Sequence, residues 1–563
     1  MATASVSDLS PPSPPPERAV LVAAARHLLS RATSAAESAE SRLHCALAIC
    51  NTSGAKDLPE EVRCRAHVAA GTLLHERDGH QAWAVSHLRS AMQACGRQCH
   101  WDWDCFLETV SAALRISQTL LRHGMLKEVK ALHECLKGVL QQEASGHNPM
   151  PTQRPDGSRE AVQWLSAHCS ALNVSLLVHE GQFNAAARAL TSARDATLAL
   201  PTEATSVAGL ASFASRDELL SVLSVHSTLI LARQGELDQA AAGLQELLAA
   251  SQASIKAMTH AAHDATRVRM KLCEGRVLAA TMSIARLDFS TAFVTFHELH
   301  RTLHAAPATA LDMSAPVPPP RSPIGKSVWL VLVAQLALAV EDKPVAIGLL
   351  REARAADAAS ALPSAALGLW CELLLLLLEE TRPAVLRDAL SRLVQAEKAR
   401  PLRLLRSAVY YAQGLTALAL EQPAEAERLL ARCVKHTIGD SRCDGLTASA
   451  LAAMAAASRA GGAGGDGGDG LPERERKRRR AEDSLSSALI IAARMADDGI
   501  KRRTLDGFAK HYRALGEKEQ QLEFEQMLST HTEEHEAKLA RTRASEEYAA
   551  LLRMGPPSEA CYP

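Results

Sequence analysis

The chain has 563 residues, 62 of them basic and 63 acidic, for a formal net charge of -1. That balance excludes a protein that holds nucleic acid or a membrane surface through bulk charge. The composition is 47% hydrophobic but only 3% aromatic. Ala and Leu dominate and β-branched runs are scarce, so helix is the default almost everywhere.

The first 17 residues form a polar, Pro-rich segment, expected to be disordered. The opening MATASVSDLSPPSPPPERAV does not read as a secretory signal, and the 13 Cys form no regular framework. Reduced thiols in an intracellular compartment are therefore expected. A helical hairpin is predicted over Ala19 to Ile49, and a second over Pro59 to Ala94, where Glu60 and Glu61 favour a helix start.

From there a grid recurs: a small residue, a bulky apolar residue four later, an apolar residue three after that. It reads Ala84/Leu88/Ala91, Ala186/Leu190/Ala193, Ala240/Leu244/Leu247, Ala292/Phe296/Leu299, Ala346/Leu350/Ala353, Leu386/Leu390/Leu393 and Ala426/Leu430/Cys433. Such spacing is one stripe of a helix. Gly79, Gly181, Gly235 and Glu421 stand five residues upstream of four of the grids, where a turn between two helices belongs. Further hairpins centre near Gly124, Leu287, Glu341 and Glu380. This is the second helix of a tetratricopeptide (TPR) hairpin. Gly414 to Ala426 keeps the regular TPR offset of 12, while Gly71 to Ala84 spans 13. Anchor intervals run from 40 to more than 50 residues, against about 34 in a regular TPR. Long helices and long loops are expected, the loops at Glu143–Arg159, Pro201–Ser215 and Ala305–Lys326.

The run Ala366–Leu378 is too short and too acidic at Glu372 for a membrane span and reads as a buried core helix. GGAGGDGGDG followed by LPERERKRRRAED makes 460–483 a Gly-rich, basic, flexible linker. Helix is predicted to resume near Ser484, and helices through 553 to cap the array, with a tail at 554–563. The fold class is thus all-α, an irregular TPR-like superhelix (α-solenoid) over 18–459 with a helical cap.

No chemistry-bearing motif survives its context. Gly325, Lys326 and Ser327 lack the upstream glycine and strand of a P-loop and read as a helix N-terminus. Cys95, Cys99, His100 and Cys105 lack paired zinc spacing. Most His, including His44, His67, His226 and His263, have no partner at metal spacing. His300/His304 and His531/His535 do not follow the zincin order, since Thr532 follows His531. No metal, no cofactor and no enzymatic activity are expected.

Two binding features remain. Arg474, Arg476, Lys477, Arg478, Arg479 and Arg480 form one dense basic cluster, a candidate nuclear-import signal. In a TPR stack, places 2, 5, 9 and 12 of each first helix face the groove. With Gly71 at place 8 these are Arg65, Val68, Thr72 and His75. With Gly414 at place 8 they are Ala408, Tyr411, Leu415 and Leu418. A groove that changes from polar to apolar suits a long extended peptide.

The segments RLHCALAIC, EEVRCRAHVAAGTLLHERDGHQAWAVSHLRSAMQ, RSAVYYAQGLTALALEQPAEAERLLARCVK, LTASALAAMAAAS and SSALIIAARMADDGIKRRTLDGFAKHYRALGEKEQQLEFEQML come in an order that resembles the TPR subunit of the cohesin-loading complex (the Mau-2, or cohesin loading complex subunit 4, family). Agreement is best at about 40 to 94, 405 to 456 and 486 to 528. Ala in place of many bulky residues, and the insert at 460–483, depart from the family pattern. The resemblance implies a scaffold that wraps the N-terminal segment of a large HEAT-repeat loader of Nipped-B type. It implies cohesin and chromatin as indirect partners, no membrane, a nuclear location, and a role in sister-chromatid cohesion. A generic TPR adaptor or a co-chaperone is the alternative, although its carboxylate clamp would need basic residues where Ala408, Tyr411 and Leu415 stand.

Overall fold

The computed structural model describes residues 16–34, 37–51, 58–75, 80–95, 103–122, 125–144, 158–201, 215–257, 262–304, 325–359, 365–380, 382–398, 403–441, 443–463, 471–495 and 497–556. Among them are 23 α-helices and no strand. The fold is all-α and TPR-like, as the spacing predicts.

The chain divides into two compact units. Unit 1 comprises Met1–Leu121, Lys127–Leu172 and Leu200–Phe213; unit 2 comprises Arg122–Leu126, Asn173–Ala199 and Ala214–Pro563. The helices run α1 Pro16–Thr33, α2 Ala39–Cys50, α3 Glu60–His75, α4 Gln81–Cys95, α5 Trp103–Arg122, α6 Leu126–Ala144, α7 Ser158–His179 and α8 Phe183–Leu198. Then follow α9 Arg216–Arg233, α10 Leu237–Ala257, α11 Ala262–Ala285, α12 Phe289–His304, α13 Lys326–Ala339, α14 Lys343–Ala358, α15 Ala365–Glu379 and α16 Pro383–Lys398. The remainder are α17 Arg403–Ala419, α18 Pro423–His436, α19 Asp444–Ala463, α20 Leu471–Met495, α21 Asp498–Leu515, α22 Lys518–Arg543 and α23 Glu546–Met554, with a π-helical turn at Thr437–Ser441 after α18.

One turn design joins most of these hairpins. Gly181, Gly235, Leu287, Glu341, Glu421 and Gly516 all have positive φ. At each, its amide bonds the carbonyl three residues back and the next amide bonds five back, as in Gly181 N to Val178 O at 3.0 Å and Gln182 N to Leu177 O at 2.8 Å. That is the Schellman ending, which satisfies the last carbonyls of the first helix. Gly79 and Gly124 lie outside the described residues. So do the segments 1–15, 145–157, 202–214, 305–324, 464–470 and 557–563.

The grid residues form the core between paired helices. Nineteen of the twenty-one positions are buried; only Leu190 and Leu386 are half-buried. Close approach at the small positions is tight. A Cβ on Gly414 would lie 2.6 Å from Leu430 Cγ, and one on Gly71 would lie 2.9 Å from Leu88 Cγ. Beyond sequence neighbours, first helices pack on first helices: α1 on α3 in unit 1, and α9 on α11, α11 on α13, α15 on α17, α17 on α19 and α19 on α21 in unit 2. Within unit 2 the first helices thus form two packed runs, α9–α11–α13 and α15–α17–α19–α21, the arrangement that makes a binding wall in a TPR stack.

Three expectations change. Helix α19 extends to Ala463 and α20 starts at Leu471, so the basic run is helical and only 464–470 separates the two. The apolar run of α15 is not wholly buried: Cys371, Leu373 and Leu375 are, while Leu377 is 41% exposed. An all-Leu surface is apolar all round, but only part of its circumference has neighbours. Finally, the C-terminal helices do more than close an end. Within unit 2, Leu539, Tyr548 and Leu551 join the core around Phe296 and Trp329 on α12 and α13. The α9–α10 and α13–α14 turns both meet these later helices. A Cβ on Gly235 would lie 3.2 Å from Met495 Cγ, Arg502 pairs with Glu341 at 3.6 Å, and Tyr548 reaches Asp342.

Among the described residues, one helix, Ser158–His179, is long and apolar enough to cross a bilayer on length and composition, and most of its apolar window is buried.

Candidate partner-binding face

Helix α17 is a first helix in unit 2. Its glycine stripe turns to Leu430 of α18, which fixes the rotation of the helix about its axis. The adjoining stripe carries Ala408, Tyr411, Leu415 and Leu418, spaced three and four apart. Leu415 is 38% exposed, while Ala408, Tyr411 and Leu418 are half-buried. Tyr411 is hydrogen-bonded to Ser449 of α19, and Arg503 of α21 donates to the same Ser449 hydroxyl at 3.5 Å. Burial pushes the Tyr411 hydroxyl up, with Arg503 opposing. These contacts place the stripe on the row of first helices.

In unit 1, the α3 positions behave differently. Arg65 is 3.7 Å from Glu61 and partly exposed. Thr72 turns its hydroxyl back to the Val68 carbonyl at 2.9 Å, and His75 is half-buried. Val68 is 3% exposed. It belongs to the interior of the unit and is not an open groove position. Side-chain placement depends on how far α3 is rotated against its neighbours, which the repeat register alone does not fix.

The basic run lies on α20. Arg478 pairs with Glu517 at 2.7 Å, Arg479 with Glu475 at 3.0 Å, and Arg480 with Glu427 at 3.8 Å. Arg476 and Lys477 lie on the same helix, as does Arg474, whose side chain is outside the described residues. The local charge is therefore partly balanced, unlike a free basic tail.

Part of the candidate motifs that sequence context dismissed falls on described residues. Gly325 is the N-cap of α13, and Lys326 pairs with Glu352 at 3.1 Å. Of the four Cys and His between 95 and 105, Cys99, His100 and the Cys95 side chain lie outside the described residues. Cys105 is buried, and its hydrogen bond with Cys64, then burial, push its thiol up. His535 is buried, and burial holds its imidazole below the ordinary value.

One constellation escaped sequence reading. His67, expected to lack a partner at metal spacing, has two: Cys50 Sγ at 3.5 Å and His87 Nδ1 at 2.9 Å, both from its own Nδ1. The three ligand atoms lie within 4.8 Å of one another. They come from the last residue of α2, the middle of α3 and the middle of α4. No short motif could announce them, because the separations are 17 and 20 residues. Burial pushes the Cys50 thiol up to about 12 and holds His67 down to about 4, with His87 lowered by burial as well. All three are neutral near pH 7 as the unit stands.

No family model matches the chain, and no curated protein matches it. Solved structures do. A Rap protein complexed with competence and sporulation factor has a TM-score of 0.38 at 12% identity, covering 67% of this chain and 99% of that one. Scc4 in complex with Scc2n has a TM-score of 0.29 at 9% identity, covering 92% of this chain and 99% of that one. A circular tandem repeat protein with a novel repeat topology has a TM-score of 0.18 at 13% identity, covering 93% and 98%. All are distant, and the fold class rests on the helices themselves: stacked TPR-like hairpins whose first helices pack on one another in runs within each unit.

Proposed function

We propose that this chain is a non-enzymatic scaffold subunit of the cohesin-loading complex. In this reading it grips the N-terminal segment of a large HEAT-repeat loader of Nipped-B type and so promotes cohesin loading onto chromatin. The observation that carries a peptide-gripping role is the α17 stripe: Leu415, 38% exposed, flanked by half-buried Tyr411 and Leu418 on the row of first helices. An apolar stripe of this kind, in a row of packed helices, is suited to an extended apolar segment. The choice of partner rests on the sequence resemblance at about 40 to 94, 405 to 456 and 486 to 528. Cohesin and chromatin enter through the complex, and the basic run of α20 directs the chain to the nucleus.

Binding of this type buries about 1,000 to 3,000 Å². Even the low end corresponds to a gross ~25 kcal/mol before ordering and association costs, enough for an obligate pair. The test is co-expression with a tagged N-terminal loader segment. A stoichiometric complex is expected, and Leu415→Glu should weaken it at least tenfold. A folded chain that passes over that segment and instead binds a chaperone C-terminal peptide establishes the co-chaperone alternative.

A further inference from the structure

The geometry points to a transition-metal site in unit 1, built from Cys50, His67 and His87, that takes a thiophilic divalent cation, zinc above all. A tetrahedral zinc bonds imidazole nitrogen at about 2.0 Å and thiolate sulfur at about 2.3 Å. That places two ligand nitrogens about 3.3 Å apart, and nitrogen and sulfur about 3.5 Å apart. The observed Cys50 Sγ to His67 Nδ1 distance is 3.5 Å and the His67 Nδ1 to His87 Nδ1 distance is 2.9 Å. One pair already has the required spacing, a second needs an opening of a few tenths of an ångström, and the third, Cys50 to His87, lies within 4.8 Å and adjusts on loading. Small χ rotations supply such shifts.

The arrangement also leaves a hydrogen-bonding account incomplete. His67 Nδ1 carries either one lone pair or one N–H, and both neighbours face it. One cation between the three atoms serves all of them at once. The imidazole rings are tilted by 42° with centroids 5.2 Å apart, so they do not stack face to face. Cys50 ends α2, where the helix dipole is negative and favours a cation. Arg63 acts on His67 in the opposite sense, but it is tied to Glu60 at 2.8 Å. On loading, the Cys50 thiol gives its proton to solvent and becomes thiolate, and both imidazoles ligate as neutral bases. Three protein ligands leave a fourth position for water.

The Cys–His₂ set selects among metals. One thiolate with two imidazoles suits zinc and excludes magnesium and calcium, which take oxygen ligands. The site is separate from the α17 stripe and stands or falls independently of the proposed partner.

The full-length chain, stripped of metal and titrated with cobalt(II), provides the test. Tetrahedral d–d bands and a thiolate-to-cobalt charge-transfer band are expected at one equivalent, and both should vanish when zinc(II) is added. Cys50→Ser should abolish the charge-transfer band, and His87→Gln should weaken cobalt binding at least tenfold. Cys135→Ser, on α6, should change neither. A wild-type chain without the charge-transfer band, or a band that persists in Cys50→Ser, overturns the assignment. X-ray absorption of the zinc-loaded wild type needs no variant. One sulfur with nitrogen or oxygen donors supports the site, and no sulfur or two or more sulfurs refutes it.

Discussion

The Tyr548 hydroxyl donates to an Asp342 carboxylate oxygen at 3.1 Å, across 206 positions of chain. Asp342 follows the positive-φ Glu341 and also caps α14, accepting from the Val345 amide at 3.4 Å. One carboxylate therefore starts a helix and anchors the returning C-terminal segment. Burial, then the Asp342 charge, push the Tyr548 hydroxyl up, so it remains a donor over the working pH range. Tyr548→Phe should cost about 1 kcal/mol. Leu551→Ala, which opens a cavity in the core beside Trp329, should cost about 2 to 5 kcal/mol. Urea unfolding of each variant measures both, and a cost for Leu551→Ala no greater than for an exposed Leu contradicts the docking.

Gly414 and Leu430 should behave as a coupled pair. Ala at 414 puts a Cβ 2.6 Å from Leu430 Cγ, an atom too near its own backbone to swing away. Gly414→Ala alone should destabilise by about 1 to 3 kcal/mol. In the double variant with Leu430→Ala the clash is gone, so the two costs should fall short of additivity by about 1 kcal/mol or more. A double-mutant cycle on denaturation free energies reads this directly.

At Glu421 the sequence carries strain that glycine would relieve. Its φ is 57°, and a left-handed residue with a Cβ costs roughly 1 to 2 kcal/mol. Glu421 is exposed, so Glu421→Gly should raise stability by about 1 kcal/mol, seen as a higher Tm. Leu287→Gly should gain less or lose, because Leu287 also packs against the core around Phe296 and Trp329.

His226 makes unit 2 sensitive to acid. Burial, then the His179 charge, lower its pKa from 6.5 to about 3, and its Nε2 is 2.7 Å from Ser175 Oγ. Unfolded, the imidazole takes a proton below pH 6.5; folded, it resists until about 3. Between those values the unfolded chain holds more protons, so each step of acidification favours it. Stability from this group is complete above pH 6.5, and it declines as pH falls toward 3 by up to about 1.4 kcal/mol per pH unit. Denaturation midpoints at successive pH values should show the decline, and His226→Gln should flatten it.

The basic run offers a cellular prediction. Replacing Arg474, Arg476, Lys477, Arg478, Arg479 and Arg480 by Ala should reduce nuclear accumulation of the chain while leaving the loader complex intact. Fluorescence imaging with co-purification checks both halves, and unchanged nuclear accumulation ends the import reading.

The turns were legible because a Schellman ending leaves a fixed offset to the next helix. Gly181, Gly235 and Glu421 stood five residues before a small anchor, and Leu287 and Glu341 marked hairpin centres. Each has the left-handed backbone that the turn demands. Helix rotation was less legible. The register that placed Leu415 at a surface put Val68 there too, and neighbouring helices covered it. The Cys50, His67 and His87 cluster and the Tyr548 return depend on which helices meet in space. Neither leaves a periodic trace along the chain.

The fold-back of Leu539, Tyr548 and Leu551 onto the Phe296 and Trp329 cluster also bears on how the protein is made. At about 5 to 20 residues per second, a nascent chain would wait on the order of tens of seconds between emergence of α13 and arrival of its cover. During that interval the ribosome displays a greasy, half-built surface, and a holding chaperone has its clearest target there.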